Sequence, residues 1–359
     1  MFRNCKEVIN LKIYFIVSKF VCGVEYVKSH NSFLYQDFLY AKAIGIFKEL
    51  IAFYDQKRDA TGKVDDRAGM LRAEAVEYVA KALAEDDWDG DGDADPNAGT
   101  ARAFEYLPGE QPFEREILKQ YANVLYEFHD VEKYPESIRC YERLITQDGT
   151  DPENPVYQER IVTINDTLRD FDGAANARLQ MATRFGKGSE WYGKNQENAD
   201  AIDRAEMMVE VAMHQRAQFH HMRAQQLKVD GRSEEDEEMI AESVSEYRKA
   251  GDAYQAYLDR YPNSPKAYEI LFYRAEAVYY YNDFELAGSL YSRVRDDKKH
   301  TNFQEESAFS SIKCLENMIN SEVEQGKMPE KAMPQGNFEM EEVAMPDEDS
   351  STIRRVTPE

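Results

Sequence analysis

A four-position pattern, aromatic then small then bulky then apolar at offsets 0, 3, 7 and 10, recurs along this chain and limits what it can fold into. It occurs as Tyr40, Ala43, Phe47, Leu50 and as Tyr134, Ser137, Tyr141, Leu144. It returns as Tyr247, Ala250, Tyr254, Tyr257 and as Phe284, Ala287, Tyr291, Val294. Phe171, Ala174, Arg178 and Met181 form a degenerate copy with an arginine at the bulky position. Steps of 3, 4 and 3 place all four side chains on one face of an α-helix, with the small residue where a neighbouring helix must come close. The pattern is thus a packing code for paired helices. Tyr134 and Phe171 are 37 residues apart, Tyr247 and Phe284 again 37, and Phe171 and Tyr247 76, close to two periods. Such a period marks a repeat array, in which no unit buries its own apolar face and stacking on neighbours supplies the core.

At 359 residues the chain exceeds one typical core, so it is either two packed units or an elongated array. Long stretches rich in Ala, Glu, Leu, Arg and Tyr at helical spacing, with 18 Gly and 12 Pro in all, favour helices, and little reads as strand. The expected organisation begins with an atypical segment, 1–35, which lacks this periodicity and reads as a leader or a non-native start. Helices over 36–84, an Asp-rich loop insertion over 85–112 and repeats over 113–185 follow. The segment 186–232 contains one long helix, Gln196 to Val229, with no central turn, and repeats resume over 233–322. Residues 323–359, poor in aromatics and rich in Pro, Met and acid, cannot bury enough apolar surface to order themselves and read as a disordered acidic tail.

The segment EYRKAGDAYQAYLDRYPNS, with Tyr247, Ala250, Tyr254 and Tyr257 followed by the helix-stopping Pro262, resembles the second helix of a tetratricopeptide repeat. VYYYNDFELAGSLYSRV and FHDVEKYPESIRCYERLI are similar to the same family, and the likeness spans roughly residues 38 to 320. The departures are a period about three residues longer than the family's 34, Arg178 in an aromatic's place, and the unbroken long helix. The resemblance implies an all-α fold, an irregular α-solenoid of helix hairpins forming a right-handed superhelix. Its concave surface would bind other proteins, lined by first helices at Arg115 to Phe128 and Lys266 to Tyr281. Lys119 and Asn123, four apart on one such helix, echo a pair with which some members hold a peptide's C-terminal carboxylate. The texture of RYPNSPKAYEILFYRAEAVYYYNDFELA is most like envelope-associated members from Gram-negative bacteria. That likeness implies a scaffold in a cell-envelope complex, in the periplasm or outer envelope. A cytoplasmic adaptor that reads peptide termini and a calcium-responsive interaction module are the alternatives.

The sharpest chemical signal lies outside the repeats, in EDDWDGDGDADPNAG over residues 85–99. Asp87, Asp89, Asp91 and Asp95 occupy relative positions 1, 3, 5 and 9 with Gly92 at position 6, the spacing of a hard-cation loop, and Asp93 at position 7 would contribute its backbone carbonyl. Alternate carboxylates on a tight glycine turn converge on one point, and Ca²⁺ takes oxygen ligands in such numbers. Position 12, where an EF-hand supplies a bidentate Glu, is Ala98. The loop then looks more like the DxDGDGxxD repeats of extracellular calcium-binding proteins, with Glu85, Asp86 or Asn97 as substitute ligands. Affinity in the range of about 10⁻⁴ to 10⁻³ M is expected, which suits an extracytoplasmic setting.

A net charge of −24 repels a phosphate backbone and argues against nucleic-acid binding. Cys5, Cys22, Cys140 and Cys314 have no paired spacing, so neither a zinc site nor a disulfide framework is expected. The run Ile13 to Val24 is broken by Lys19 and is too short to span a bilayer. His214, His220 and His221 share a helix without the carboxylate partners of a metal-binding motif, and read as ordinary helix residues. GxSxG, P-loop and GxGxxG patterns are absent, so the expectation is a protein that is not an enzyme.

Overall fold

A computed structural model of the chain describes residues 33–61, 66–127 and 131–329. The N-terminal segment through residue 32, with Cys5 and Cys22, and the tail from residue 330 lie outside the described residues. Among the described residues the chain is all-α, with thirteen α-helices, one 3₁₀ turn and no strand. The helices divide into two compact units, one ending at Gly149 and the other beginning at Thr150.

The first unit contains α1 (Phe33–Thr61), α2 (Asp66–Ala84), α3 (Thr100–Tyr106), α4 (Pro112–Glu127) and α5 (Tyr134–Gln147), the last preceded by a 3₁₀ turn at Val131–Lys133. A helix therefore interrupts the 85–112 segment expected as loop. α1 packs on α2, α2 on α4, and α4 on α5. Ala43, Phe47 and Leu50 of α1 and Tyr134, Ser137, Tyr141 and Leu144 of α5 are all buried. Serine is tolerated at the small position because its Oγ donates 2.9 Å to the Ala122 carbonyl, so no polar atom is stranded. Glu114, although buried, accepts from Lys48 at 2.6 Å and from the backbone N–H of Gly109 at 2.8 Å and Glu110 at 2.9 Å. Burial by itself would raise its pKa; these donors override that and hold the carboxyl below its ordinary value.

The second unit runs α6 (Asn154–Leu168), α7 (Phe171–Phe185), α8 (Glu190–Lys194), α9 (Ala199–Glu234), α10 (Glu237–Arg260), α11 (Ala267–Tyr280), α12 (Phe284–Arg295) and α13 (Gln304–Glu324). The long helix expected over Gln196 to Val229 spans 36 residues as α9. α13 continues past residue 323, where the tail was expected to begin. From α10 to α13 each helix packs on the one before it, α9 lies on α7, and α7 on α6. Tyr247, Ala250, Tyr254 and Tyr257 join Ala287, Leu290, Tyr291 and Val294 in one core with Ile270 and Phe272.

Three of the hairpins turn by one device. Arg169, Glu235 and Asn282 adopt left-handed backbone, with φ of 57°, 55° and 70°, and each is followed by an aspartate that caps the next helix. The cap accepts backbone N–H groups that the first turn leaves without partners: Asp170 from Gly173, Asp236 from Glu238 and Met239, Asp283 from Leu286. The N–H of the same aspartate returns to the preceding helix, on the carbonyls of Asn165, Gly231 and Val278 at 2.9, 2.8 and 3.2 Å. The α10 to α11 connection instead runs through Tyr261 and Pro262, and the helix stops at Arg260 as expected.

Arg178, which breaks the aromatic pattern, is buried in α7 and donates 2.6 Å to Asp166 of α6. Burial pushes the Asp166 carboxyl up, and the arginine opposes that shift. The thiols of Cys140 and Cys314 are free and buried, and burial raises both, Cys314 to about 12.

Candidate functional site

The Asp-rich loop leaves α2 at Ala84 and enters α3 at Thr100. Its glycines let the chain fold back on itself: Gly90 and Gly92 have φ of 76° and 96°, conformations that side-chain-bearing residues rarely adopt. Asp87 lies at the centre of the turn. Its Oδ1 accepts the N–H groups of Gly90 at 2.6 Å and Asp91 at 3.2 Å, and its Oδ2 accepts that of Gly92 at 3.0 Å. Asp89 accepts the N–H of Asp91 at 3.0 Å, and the backbone closes through Asp95 N–H to the Asp86 carbonyl at 2.9 Å.

Of the five aspartates expected as ligands, this turn gathers three. Carboxylate oxygens of Asp87, Asp89 and Asp95, all half-buried, lie within 4.8 Å of one another. Among the described residues no other group of His, Cys, Asp or Glu meets that test. Asp91 is exposed and its carboxylate stands outside the cluster, and Asp93, expected to offer its backbone carbonyl, is exposed as well. Their place in the sequence reflects the period of the loop, whereas convergence depends on which carboxylates its turn points inward.

The structure adds four residues that the spacing of the aspartates does not indicate. Trp88 is buried, donates its indole N–H 2.9 Å to the Ala82 carbonyl, and stacks on Tyr40 of α1 with centroids 5.2 Å apart. Arg102 of α3, 1% exposed, lies over the Trp88 ring at 4.0 Å, ion-pairs with Asp95, and donates to the Glu85 carbonyl at 2.8 Å and Asn97 at 3.2 Å. Lys133 pairs with Asp86. The loop therefore carries its own partial neutralisation. Asp95 and Asp86 are matched by cations. The acidity of the loop reaches Tyr40: burial raises its pKa first, and the Glu85 and Asp87 carboxylates raise it further. One aromatic among alternating aspartates, and the first arginine after a run of acids, were the available signals for Trp88 and Arg102.

A divalent cation at this point would meet three protein carboxylates plus water, a set suited to Ca²⁺ or another hard ion. Asn97, expected as a substitute ligand, is engaged by Arg102, and no carboxylate takes the place of the missing position-12 Glu among the gathered group.

The remaining candidates lie elsewhere. Lys119 and Asn123 are half-buried on α4, and the Asn123 carbonyl oxygen accepts the Tyr141 hydroxyl of α5 at 2.9 Å. On α9, His220 meets the buried Glu246 at 2.7 Å, and Lys249 donates to the same carboxylate at 2.6 Å. Burial would raise Glu246; the two hydrogen bonds prevail and bring it to about 2. His221, fully buried, is enclosed edge-on by Tyr247, Tyr254 and Tyr273. His214 packs near Tyr257 with its Nδ1 3.4 Å from Lys266. The histidines are thus pieces of the packed core. Aromatic side chains of α4 and α11 are divided: Tyr121, Phe272 and Tyr273 are buried, whereas Tyr268, Tyr279 and Tyr280, with Tyr281 just past the end of α11, remain half-buried. No helix among the described residues is long and apolar enough to cross a membrane. Compared with models of known protein families and with curated proteins, the chain has no match.

Proposed function

We propose that this chain is a non-catalytic protein-interaction scaffold of the tetratricopeptide type, belonging to a cell-envelope assembly. The observation that carries the reading is the order of packing in the second unit, where each helix from α10 to α13 rests on its predecessor and the recurring small residues Ala250 and Ala287 are fully buried. Nearest-neighbour packing of this kind supports an array whose exposed helix faces are available to partners. Half-exposed tyrosines on α11 suit such a role, because they offer large contact area at low entropic cost.

Affinity capture of the tagged full chain from its native source, quantified by mass spectrometry, tests the reading. A partner recovered in near-stoichiometric amount from the envelope fraction, and lost with Tyr268→Ala plus Tyr281→Ala, supports it. Recovery of the chain alone from every fraction, or a purely cytosolic location, overturns the assembly or the compartment respectively.

A second role falls to the loop: the gathering of Asp87, Asp89 and Asp95 favours a weak Ca²⁺ site. Trp88 lies inside the loop, so a bound Tb³⁺ would be sensitised by it, and Ca²⁺ would compete the emission away. Asp89→Ala removes one gathered ligand and should abolish the emission, while Asp91→Ala should leave most of it. Equal loss from both variants would mean that the loop attracts cations only as a diffuse acidic patch.

A further inference from the structure

The last described helix of the second unit is amphipathic the wrong way round. α13 turns Ser307, Ser310, Ser311 and Cys314 inward, all buried, and packs that small, mostly polar face on α12. The approach is close because α12 has Gly288 opposite: a Cβ there would lie 3.3 Å from the Cys314 Cβ. Along this face Ser311 Oγ donates 2.7 Å to the Ser307 carbonyl and Asn317 donates 2.9 Å to the Tyr279 hydroxyl, while the buried Ser307 Oγ makes no hydrogen bond. The outward face carries Phe309, Ile312 and Leu315, 41%, 56% and 58% exposed. Steps of three keep them on one side of the helix.

The helix that carries this strip is itself acidic, although Lys313 Nζ lies 5.9 Å from the Phe309 ring. Glu305, two turns before Ile312, and Glu316, one turn after it, share its face. The helix holds five glutamates against one lysine, Lys313, which is itself buried and bonded to Glu316 at 2.7 Å. An apolar strip with a negative rim selects among occupants by charge. A second copy would bring the same acidic rim on a chain of net charge −24. Residues 330–359 carry eight acidic side chains against three basic ones, and would be repelled likewise.

We infer that the outer face of α13 is a docking strip for an amphipathic, lysine- or arginine-flanked helix of another protein, with Phe309, Ile312 and Leu315 as its anchors. The inference rests on the exposed side chains of α13 and does not depend on the scaffold reading.

The test uses the full chain with a photo-reactive phenylalanine analogue at Ile312, and in a control at Met207 of α9, which is 63% exposed. The probes are two synthetic helices of about 18 residues, long enough to hold their shape, with leucines on one face and either lysines or glutamates elsewhere. The expected result is cross-linking of the lysine peptide at position 312 but not at 207, at least about tenfold over the glutamate peptide, and reduced at least about tenfold by Leu315→Ser. Leu315 is exposed, so that variant should keep the wild-type melting curve. Equal labelling at both positions, cross-links between two chains, or cross-links within one chain to residues 330–359 would each overturn the inference.

Discussion

Two glycines in the first unit respond to the same added methyl group with opposite signs. Gly45 lies mid-helix in α1, is exposed, and has nothing within 4 Å of where a Cβ would go. Gly45→Ala therefore changes little except the backbone entropy of a helical position, and should stabilise by about 1 kcal/mol. Gly99 closes the Asp-rich loop ahead of α3 with φ 76° and ψ −144°, a region almost restricted to glycine. A Cβ at this position would also sit 2.4 Å from Glu136 Oε1. Holding alanine there costs about 1–3 kcal/mol, and moving Glu136 away from the Tyr121 hydroxyl, 3.3 Å distant, costs about 1 kcal/mol more. The net expectation for Gly99→Ala is a loss of about 2–4 kcal/mol. With a urea slope of about 2 kcal/mol/M, the midpoint should rise by about 0.5 M for the first variant and fall by about 1–2 M for the second. Incorporation of 5-fluorotryptophan separates the units, because Trp88 lies in the first and Trp191 in the second, so ¹⁹F spectra across a urea series follow Trp88 by itself. Shifts of the same sign, or a Gly99→Ala midpoint within about 0.2 M of wild type, would refute the strained-turn account.

The buried pair at the degenerate repeat predicts a non-additive series. Arg178→Ala strands Asp166 and should cost about 3–5 kcal/mol, whereas Arg178→Tyr with Asp166→Leu restores the apolar pattern and should come within about 1 kcal/mol of wild type or above it; denaturant titration followed at Trp191 measures both. Glu246 predicts acid sensitivity. Its folded pKa of about 2 lies below the ordinary 4.5, so the folded state binds fewer protons, and the stability it contributes is complete above pH 4.5 and drains as pH falls toward 2. Glu246→Gln should flatten the dependence of the second unit's melting temperature on pH across that window, and an unchanged slope would show that the carboxylate contributes nothing to it.

Fold class was legible because the signal is local. A helix repeats every 3.6 residues, so offsets of 3, 4 and 3 define a buried stripe without reference to anything distant, and the pattern's small residues are buried in every copy. Helix ends were less legible. The left-handed residue and capping aspartate at Arg169–Asp170, Glu235–Asp236 and Asn282–Asp283 form a recurring turn, but arginine and glutamate give no hint of positive φ. The loop divides along the same line. Its aspartate spacing and glycine turns could be read directly, whereas the gathering of the Asp87, Asp89 and Asp95 carboxylates without that of Asp91 could not. Arg102 and Lys133 were hidden for a related reason, since Lys133 reaches Asp86 across 47 positions of chain. The amino-acid sequence by itself determined that this protein is helical and which stripe of five of its helices faces the core, because those follow from periodicity within a few turns. Tertiary structure alone decided that α13 faces its serines inward and its Phe309, Ile312 and Leu315 to solvent, because the close approach at Gly288 of α12 leaves room only for small side chains there, while the fold of the loop decided which carboxylates converge.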